Sequence, residues 1–127
     1  MNRMVNVGVA ARIGTYSDAV EIAPGKRVLY VSGTPGLDAG NGQIPEAFAD
    51  QADLAWRNIK AILVEAGMSV DDIVKLTQYL IRRSDLAPYR DIRGRHLGSC
   101  RPASMLAFLP ELVWPNMLIE LEVVAAK

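Results

Sequence analysis

Apolar residues recur at helical spacing through the middle of the chain. Successive apolar positions lie alternately four and three residues apart, at Phe48, Ala52, Ala55, Ile59, Ile62 and Ala66. This spacing places them along one face of an α-helix of about five turns. Gly67 suits the end of that helix, and Pro45 suits its first turn.

A second, shorter helix is predicted from Asp85 to Leu97, closed by Gly98. The segment is polar and rich in arginine. One side of this helix carries its bulky apolar and aromatic residues together with one arginine. These residues, at helical spacing, are Leu86, Tyr89, Ile92, Arg93 and His96.

Extended segments surround the two predicted helices. Residues 27–32 are rich in β-branched and aromatic side chains, and the Pro24-Gly25 turn before them predicts a hairpin with residues 19–23. Glycines and prolines make 34–45 a loop. Alternation over 73–81 predicts a strand, and 104–109 and 118–125 are the last two strands.

The element order β-β-β-α-β-α-β-β predicts the α+β class, with a six-stranded mixed sheet and two helices on one face. A length of 127 residues fits one domain, 1–127. Half of the residues are apolar and 22% are charged, which is the composition of a globular protein rather than a disordered one.

Charge and residue usage exclude several classes of partner. Fourteen basic residues balance fourteen acidic ones, so no long-range field attracts a nucleic acid or an anionic membrane. The single Cys100 and single His96 make a disulfide framework, a metal site or a metal cofactor improbable. No apolar run reaches the ~20 residues of a membrane span, and Met1–Ala11 is too short for a secretory signal. We therefore expect a cytoplasmic protein without cofactors.

Two carboxylates stand out on the last predicted strand. Glu120 and Glu122 share one strand face, with side chains roughly 6.6 Å apart along it. Such a pair can act as a general base and a group that positions water. Charged residues on a sheet more often face solvent, so the functional interpretation requires a cover, which a subunit interface would supply.

The segment from Arg82 to Arg101 carries six arginines against two aspartates. Guanidinium groups bind carboxylates and phosphates through two parallel hydrogen bonds, which predicts a small anionic or polar metabolite as partner. The alternative for any one of these arginines is a solvated helix face with local ion pairs.

Other candidate groups are weaker alone. The segments Gly14-Thr15-Tyr16-Ser17 and Ser32-Gly33-Thr34 place hydroxyls and backbone donors at strand edges. Cys100 would need a partner that lowers its pKa to act as a nucleophile. A Ser-His-Asp triad would require pairing His96 with an arbitrary serine.

Taken in order, several motifs resemble the Rid/YjgF family of reactive-intermediate (enamine/imine) deaminases, also known as the endoribonuclease L-PSP family or translation inhibitors. The matches span nearly the whole chain. They are Ile13–Val20 with I-G-P-Y-S-x-A-V, Leu29–Gly33 with L-x-x-S-G, Gln51 and Asn58–Leu63 with Q-x6-N-[IL]-x-x-[IL]-L, Asp72–Leu80 with D-[IV]-V-K-x-T-x-Y-L, Arg101–Ala103 with R-P-A, and Ile119–Ala125 with I-E-[IL]-E-x-[IV]-A.

The resemblance implies a chorismate-mutase-like fold and a homotrimer whose sheets form a central barrel, with ligand clefts between subunits. It implies that the cleft is lined by Tyr16, Ser17, Ser32, Gly33 and Glu120, and we predict Glu120 as the catalytic residue. Such an assembly would cover the carboxylate face of the last strand.

One position departs from the deaminase branch of the family. There an arginine follows P-A and binds the substrate carboxylate, whereas this chain has Ser104. Losing a charge-assisted contact costs roughly 1.5–3 kcal/mol. In an ungapped alignment Arg90 replaces a common asparagine of the second helix, and its guanidinium either approaches the cleft or points to water.

The sequence thus favours a small-molecule-binding protein of this family, with hydrolysis of a small imine or enamine as the first interpretation. The change at Ser104 predicts weak activity on ordinary 2-imino acids and an altered substrate range. The alternative is a binding module that uses the same cleft without turnover. Ribonuclease or translation-inhibitor activity ranks last, because zero net charge and one histidine provide no acid/base pair suited to RNA cleavage.

Overall fold

The computed structural model describes residues 2–127, so Met1 of the predicted domain lies outside it. Within that range the elements in chain order are β1 (Arg3–Val5), α1 (Val9–Ile13), β2 (Ala19–Glu21), β3 (Val28–Pro35), α2 (Phe48–Glu65), β4 (Ile73–Leu80), α3 (Leu86–Leu97), β5 (Ala103–Phe108) and β6 (Ile119–Ala126). Short 3₁₀ turns, Val70–Asp72 and Arg83–Asp85, precede β4 and α3. None of the helices described is long and apolar enough to cross a membrane.

The main sheet is mixed and has the strand order β3-β6-β4-β5. Strands β4 and β5 run parallel, joined through α3, and the other neighbours are antiparallel. Strands β1 and β2 form a separate antiparallel pair. An isolated parallel bridge from Ser17 to Ala103 connects that pair to the β5 edge. The predicted α+β class is confirmed, and its six strands are divided between these two sheets.

The hairpin predicted between residues 19–23 and 27–32 does not form. Strand β2 pairs with β1, whereas β3 pairs with β6 at the opposite edge of the main sheet. The chain does turn at Gly25, whose φ is +80°. Arg27 and Lys127 then exchange backbone hydrogen bonds of 2.9 and 3.0 Å, so a distant segment takes the place of the local partner.

Helix α2 forms where the apolar spacing predicted it, and Gly67 adopts the left-handed conformation after its last turn. Two details were wrong. Ile62 is 38% exposed, and the buried face includes Trp56 and Leu63 instead, because Trp56 lies on the side of α2 that faces α3 and stacks on a side chain there. Pro45 precedes the helix, and its carbonyl accepts a hydrogen bond from Gln51.

Helices α2 and α3 cover one face of the main sheet and bury its core. The central β6 supplies alternate apolar residues to that core: Ile119, Leu121, Val123 and Ala125. Alternation puts Glu120 and Glu122 on the opposite face. There Tyr30 is 80% exposed and Met105 is 46% exposed, so a single chain leaves this face open.

Candidate functional site

One group of predicted site residues lies at the β5 edge of the main sheet. A cavity of about 360 Å³ lies between α3, β5 and the segment after α1. We call it the arginine cavity. Its polar side chains are Tyr16, Arg90, Arg93 and Ser104, and apolar side chains such as Leu86 and Phe108 complete it. Three of the predicted ligand-binding residues, Tyr16, Arg90 and Ser104, thus share one cavity.

A buried amide organises the inner wall of the arginine cavity. Gln78 is fully buried on β4, and its Nε2 donates to the Ser104 Oγ at 2.8 Å and to the Met105 carbonyl at 3.1 Å. Its Oε1 accepts from the Tyr89 hydroxyl at 2.6 Å and from Arg93 Nη1 at 3.0 Å. Burial raises the pKa of Tyr89 far above its ordinary value, so the phenol stays protonated and remains a donor.

The catalytic candidate lies in a different cavity of the same chain. A cavity of about 470 Å³ is lined by Gly33, Tyr79, Glu120 and Glu122, and by the loop residues Leu109 to Val113 except Pro110. We call it the glutamate cavity. Tyr79 is the register partner of Glu120 on β4, which explains why both side chains reach the same space.

Glu120 lies directly over Gly33. A Cβ atom at residue 33 would fall only 2.0 Å from Glu120 Oε1, so the carboxylate occupies the space that any other side chain would need. The pairing of β3 with β6 shifts register between Val31 and Thr34, which leaves Ser32 and Gly33 outside the regular ladder. A bulge of this kind leaves an extra residue unpaired in the ladder, here beside a carboxylate.

Ser17 lies in neither cavity. It is 2% exposed, its hydroxyl donates to the Arg101 carbonyl, and its backbone N–H donates to the Pro102 carbonyl at 3.1 Å. These contacts attach the segment before β2 to the start of β5. Ser17 therefore positions its neighbour Tyr16 at the arginine cavity.

Asp18 holds the loop before Tyr16 in place. Its carboxylate accepts hydrogen bonds from the backbone N–H groups of Val7, Gly8 and Ala10, at 2.6 to 2.9 Å. These bonds, the one from Val7 above all, lower the pKa of Asp18. The carboxylate thus anchors the start of α1, an element that the sequence pattern did not predict.

The remaining nucleophile and base candidates have other partners. Partial burial and the neighbouring Asp71 carboxylate raise the pKa of the Cys100 thiol to about 11, which makes a thiolate rare at neutral pH. His96 Nε2 lies 2.8 Å from Asp53 Oδ1, and its ring stacks on Trp56, away from both cavities. Residues 2–127 contain no cluster of three or more His, Cys, Asp or Glu side chains that could hold a metal ion.

Comparison with known proteins decides the family. The family model "Endoribonuclease L-PSP" matches residues 8–127. A RutC family protein of Pyrococcus abyssi is 34% identical over 116 residues, 91% of this chain and 88% of the relative. The mouse 2-iminobutanoate/2-iminopropanoate deaminase is 31% identical over 121 residues, covering 92% and 84% of the two chains. The chain belongs to the Rid/YjgF family.

Solved structures of Rid proteins have the same fold as this chain. A Rid family protein of unknown function from Yersinia pestis superposes with a TM-score of 0.86 at 25% identity, over 99% of this chain and 98% of that one. Escherichia coli TdcF with bound serine gives 0.75 at 28% identity, over 91% and 90%. These neighbours confirm the expected chorismate-mutase-like fold of this Rid chain.

Within this Rid chain the predicted residues divide into two groups. Tyr16, Arg90 and Ser104 line the arginine cavity, whereas Gly33 and Glu120 line the glutamate cavity. Ser32 is exposed beside Gly33, and its carbonyl accepts a hydrogen bond from Thr34 Oγ1 at 2.9 Å. A site that uses both groups must therefore combine surfaces that one chain keeps apart.

Sequence reasoning missed the roles of Arg93 and Gln78. Arg93 was assigned to the less polar side of α3, and that placement was itself the signal, because a guanidinium there must find a partner. Gln78 was the one polar residue on the alternating face with Val74, Leu76 and Leu80. A buried amide needs hydrogen-bond partners, and Ser104, Tyr89 and Arg93 provide them.

Proposed function

We propose that this Rid protein hydrolyses the C=N bond of a small 2-imino acid, or of the enamine in equilibrium with it. The observation that carries the proposal is the Glu120 carboxylate seated on Gly33 in an open cavity. A carboxylate beside backbone groups that lie outside the β-ladder can orient a water molecule towards an electrophilic carbon and accept a proton from that water.

The reaction needs few groups. Water adds to the imine carbon while Glu120 accepts one of its protons and passes it to the imine nitrogen, which gives a neutral carbinolamine. Glu120 then takes the proton of the carbinol hydroxyl and delivers it to the amino group. The C–N bond breaks as the C=O bond forms, so ammonia and a 2-oxo acid leave and both protons of the water end on nitrogen.

We propose further that the complete site forms in a homotrimer. The arginine cavity lies at the β5 edge of the main sheet, and Gly33 lies on β3 at the opposite edge. We place the β5 edge of each chain against the β3 edge of the next, because a closed ring of three chains is built from one repeated head-to-tail contact. Such closure would join the two cavities and cover the open face that carries Tyr30 and Met105.

A non-catalytic binding module is the second candidate. Ser104 favours it, because the family arginine that binds the substrate carboxylate is absent and the neutral serine is hydrogen-bonded to Gln78. The same cleft would then bind a small carboxylate without turnover. Nuclease activity, which the name of the family model suggests, receives no comparable support, because His96 is paired with Asp53 outside both cavities.

Ammonia release separates the two candidates. Imino acids are generated in place by an amino-acid oxidase from a panel of amino acids with small, branched and acidic side chains. We expect the protein to accelerate ammonia release from at least one imine, and the Glu120→Gln variant to lose that acceleration. Absence of acceleration across the panel, with the 2-oxo acid products still bound, would contradict hydrolysis and support the binding module.

A further inference from the structure

We propose that Arg90 and Arg93 form a dianion site, so that the cleft selects 2-imino acids whose side chain carries a second carboxylate. This inference rests on the proposed function for the reacting imine and adds the chemical class of its substrate. It also explains how a chain with Ser104 can still recognise a carboxylate.

The arginine cavity has a positive charge that the described part of the chain does not balance. Two guanidinium groups line it, and its lining includes no carboxylate. Neither arginine forms an ion pair within residues 2–127. An anionic ligand would supply the missing counter-charge.

Arg93 is held ready for such a ligand. Its Nη1 donates to the Gln78 Oε1 at 3.0 Å, and its guanidinium carbon lies 5.5 Å from the centre of the Tyr89 ring. Both partners are fully buried and therefore fixed in place. Since a guanidinium has five N–H donors, several remain for a ligand, and fixing the group beforehand reduces the entropy lost on binding.

Ser104 adds a directed neutral donor. Its Oγ accepts a hydrogen bond from Gln78 Nε2 at 2.8 Å, which leaves the hydroxyl hydrogen free to donate into the cavity. The hydroxyl and the Arg93 guanidinium are thus joined through one amide, on the same wall. Together they can bind one carboxylate.

Arg90 provides for the second carboxylate. It lies three residues before Arg93 on α3, a spacing that places Cβ atoms about 5–6 Å apart on one helix face. Two carboxylates separated by the reacting carbon and one or two methylene groups suit such a pair. A ligand with one carboxylate would leave one guanidinium without a counter-charge, so we commit to the dicarboxylate.

Binding of stable reaction products tests this class without requiring turnover. Calorimetry compares 2-oxoglutarate, 2-oxobutanoate and inorganic phosphate with the full-length protein at one ionic strength. We expect 2-oxoglutarate to bind at least about tenfold more tightly than 2-oxobutanoate. Its second carboxylate adds one charge-assisted contact, and tenfold is the lower end of what such a contact contributes. Phosphate binding as tight as that of 2-oxoglutarate would contradict the dicarboxylate assignment.

Variants on the same helix locate the effect. Arg90→Met and Arg93→Met should each remove most of the preference for 2-oxoglutarate. If Arg93→Met does not fold, Arg93→Lys replaces it as the test. Lysine keeps the charge but loses the paired donors of the guanidinium, so the preference for 2-oxoglutarate should weaken. The control Arg95→Met removes the same charge from α3 outside the arginine cavity and should leave the preference intact.

Two further results would overturn the inference: equal affinity for both 2-oxo acids in the unaltered protein, or an unchanged preference in the Arg90 and Arg93 variants. Its failure differs from failure of the proposed function. Selective 2-oxoglutarate binding without ammonia release from any imine would contradict hydrolysis only. Ammonia release without selectivity would contradict the dianion site only.

Discussion

Ser104 and Arg93 are joined through one buried amide. Gln78 donates to the Ser104 Oγ at 2.8 Å and accepts from Arg93 Nη1 at 3.0 Å, so this β4 side chain links strand β5 to helix α3. This chain thus has a hydroxyl on β5 and a guanidinium across the amide on α3. The ligand specificity proposed above follows from that relationship.

Replacing Gln78 by leucine should destabilise the protein. The Tyr89 hydroxyl, which is fully buried, would lose its acceptor, and an unsatisfied buried polar group costs about 1–3 kcal/mol. Chemical denaturation measures this loss. In the Gln78→Leu background a second change, Tyr89→Phe, should recover part of it, since both partners are then apolar. No recovery would mean that the bond between them is not what stabilises the wall.

Replacing Ser104 by arginine should restore activity on simple imino acids. The variant regains a two-pronged partner for a single carboxylate, so ammonia release from 2-iminopropanoate should rise about tenfold or more. Ser104→Lys, which adds charge without the fork, should gain less. If the unaltered protein already matches a deaminase-branch relative in a parallel assay, Ser104 does not limit activity.

The open face of the sheet should lie in a homotrimer. Light scattering at micromolar protein concentration should give about three times the chain mass of 13.9 kDa. Tyr30→Asp on the open face should lower that mass, because it buries a charge in the interface. The control Val64→Asp, at a position 72% exposed on α2, should keep it. A mass near that of one chain would contradict the trimer.

The contact between α2 and α3 should weaken in acid. Partial burial of Asp53 acts to raise its pKa, but hydrogen bonds from His96 and Arg57 outweigh this effect and hold the pKa below its ordinary value. Stability from this carboxylate is therefore present above its unfolded pKa, about 3.8–3.9, and is lost as pH falls through the lower folded value.

Asp53→Asn tests the acid dependence. The variant should lower the melting temperature at about pH 7 and have much less effect in acid below the folded pKa of Asp53, where the native carboxylate is also protonated. Asp91→Asn, which removes an exposed charge from α3, serves as the matched control. An equal loss at both pH values would show that Asp53 acts through packing rather than through its charge.

The sequence predicted the elements better than their partners. Helix α2 followed from a repeated apolar spacing ended by Gly67, both of which are local signals. The hairpin before β3 was wrong because strand β3 pairs with the distant β6, and nothing in residues 19–32 encodes that choice. Helix α1 is short, and Asp18 caps it from ten residues or so away, so no periodic pattern could reveal it.

The candidate site was predictable where a motif named it. The placement of Tyr16 and Glu120 in the ligand cleft came from the resemblance, whereas alternation had already paired Glu120 with Glu122 on one strand face. The division into two cavities depends on which strands lie at the sheet edges, which the sequence pattern does not state. The role of Arg93 was missed because it depends on a hydrogen bond to Gln78, which lies fifteen residues earlier on β4.

Glu120→Gln compared with Glu122→Gln tests the central claim most directly. Both glutamates lie on the open face of β6, but only Glu120 is seated on Gly33. With the best imine of the panel, Glu120→Gln should lower the rate of ammonia release by about 100-fold or more while the melting temperature changes little. Glu122→Gln should lower thermal stability and keep turnover at protein concentrations at which the trimer persists. If Glu120→Gln instead leaves turnover and ligand affinity unchanged and destabilises the trimer, Glu120 is structural and the proposed hydrolysis is wrong.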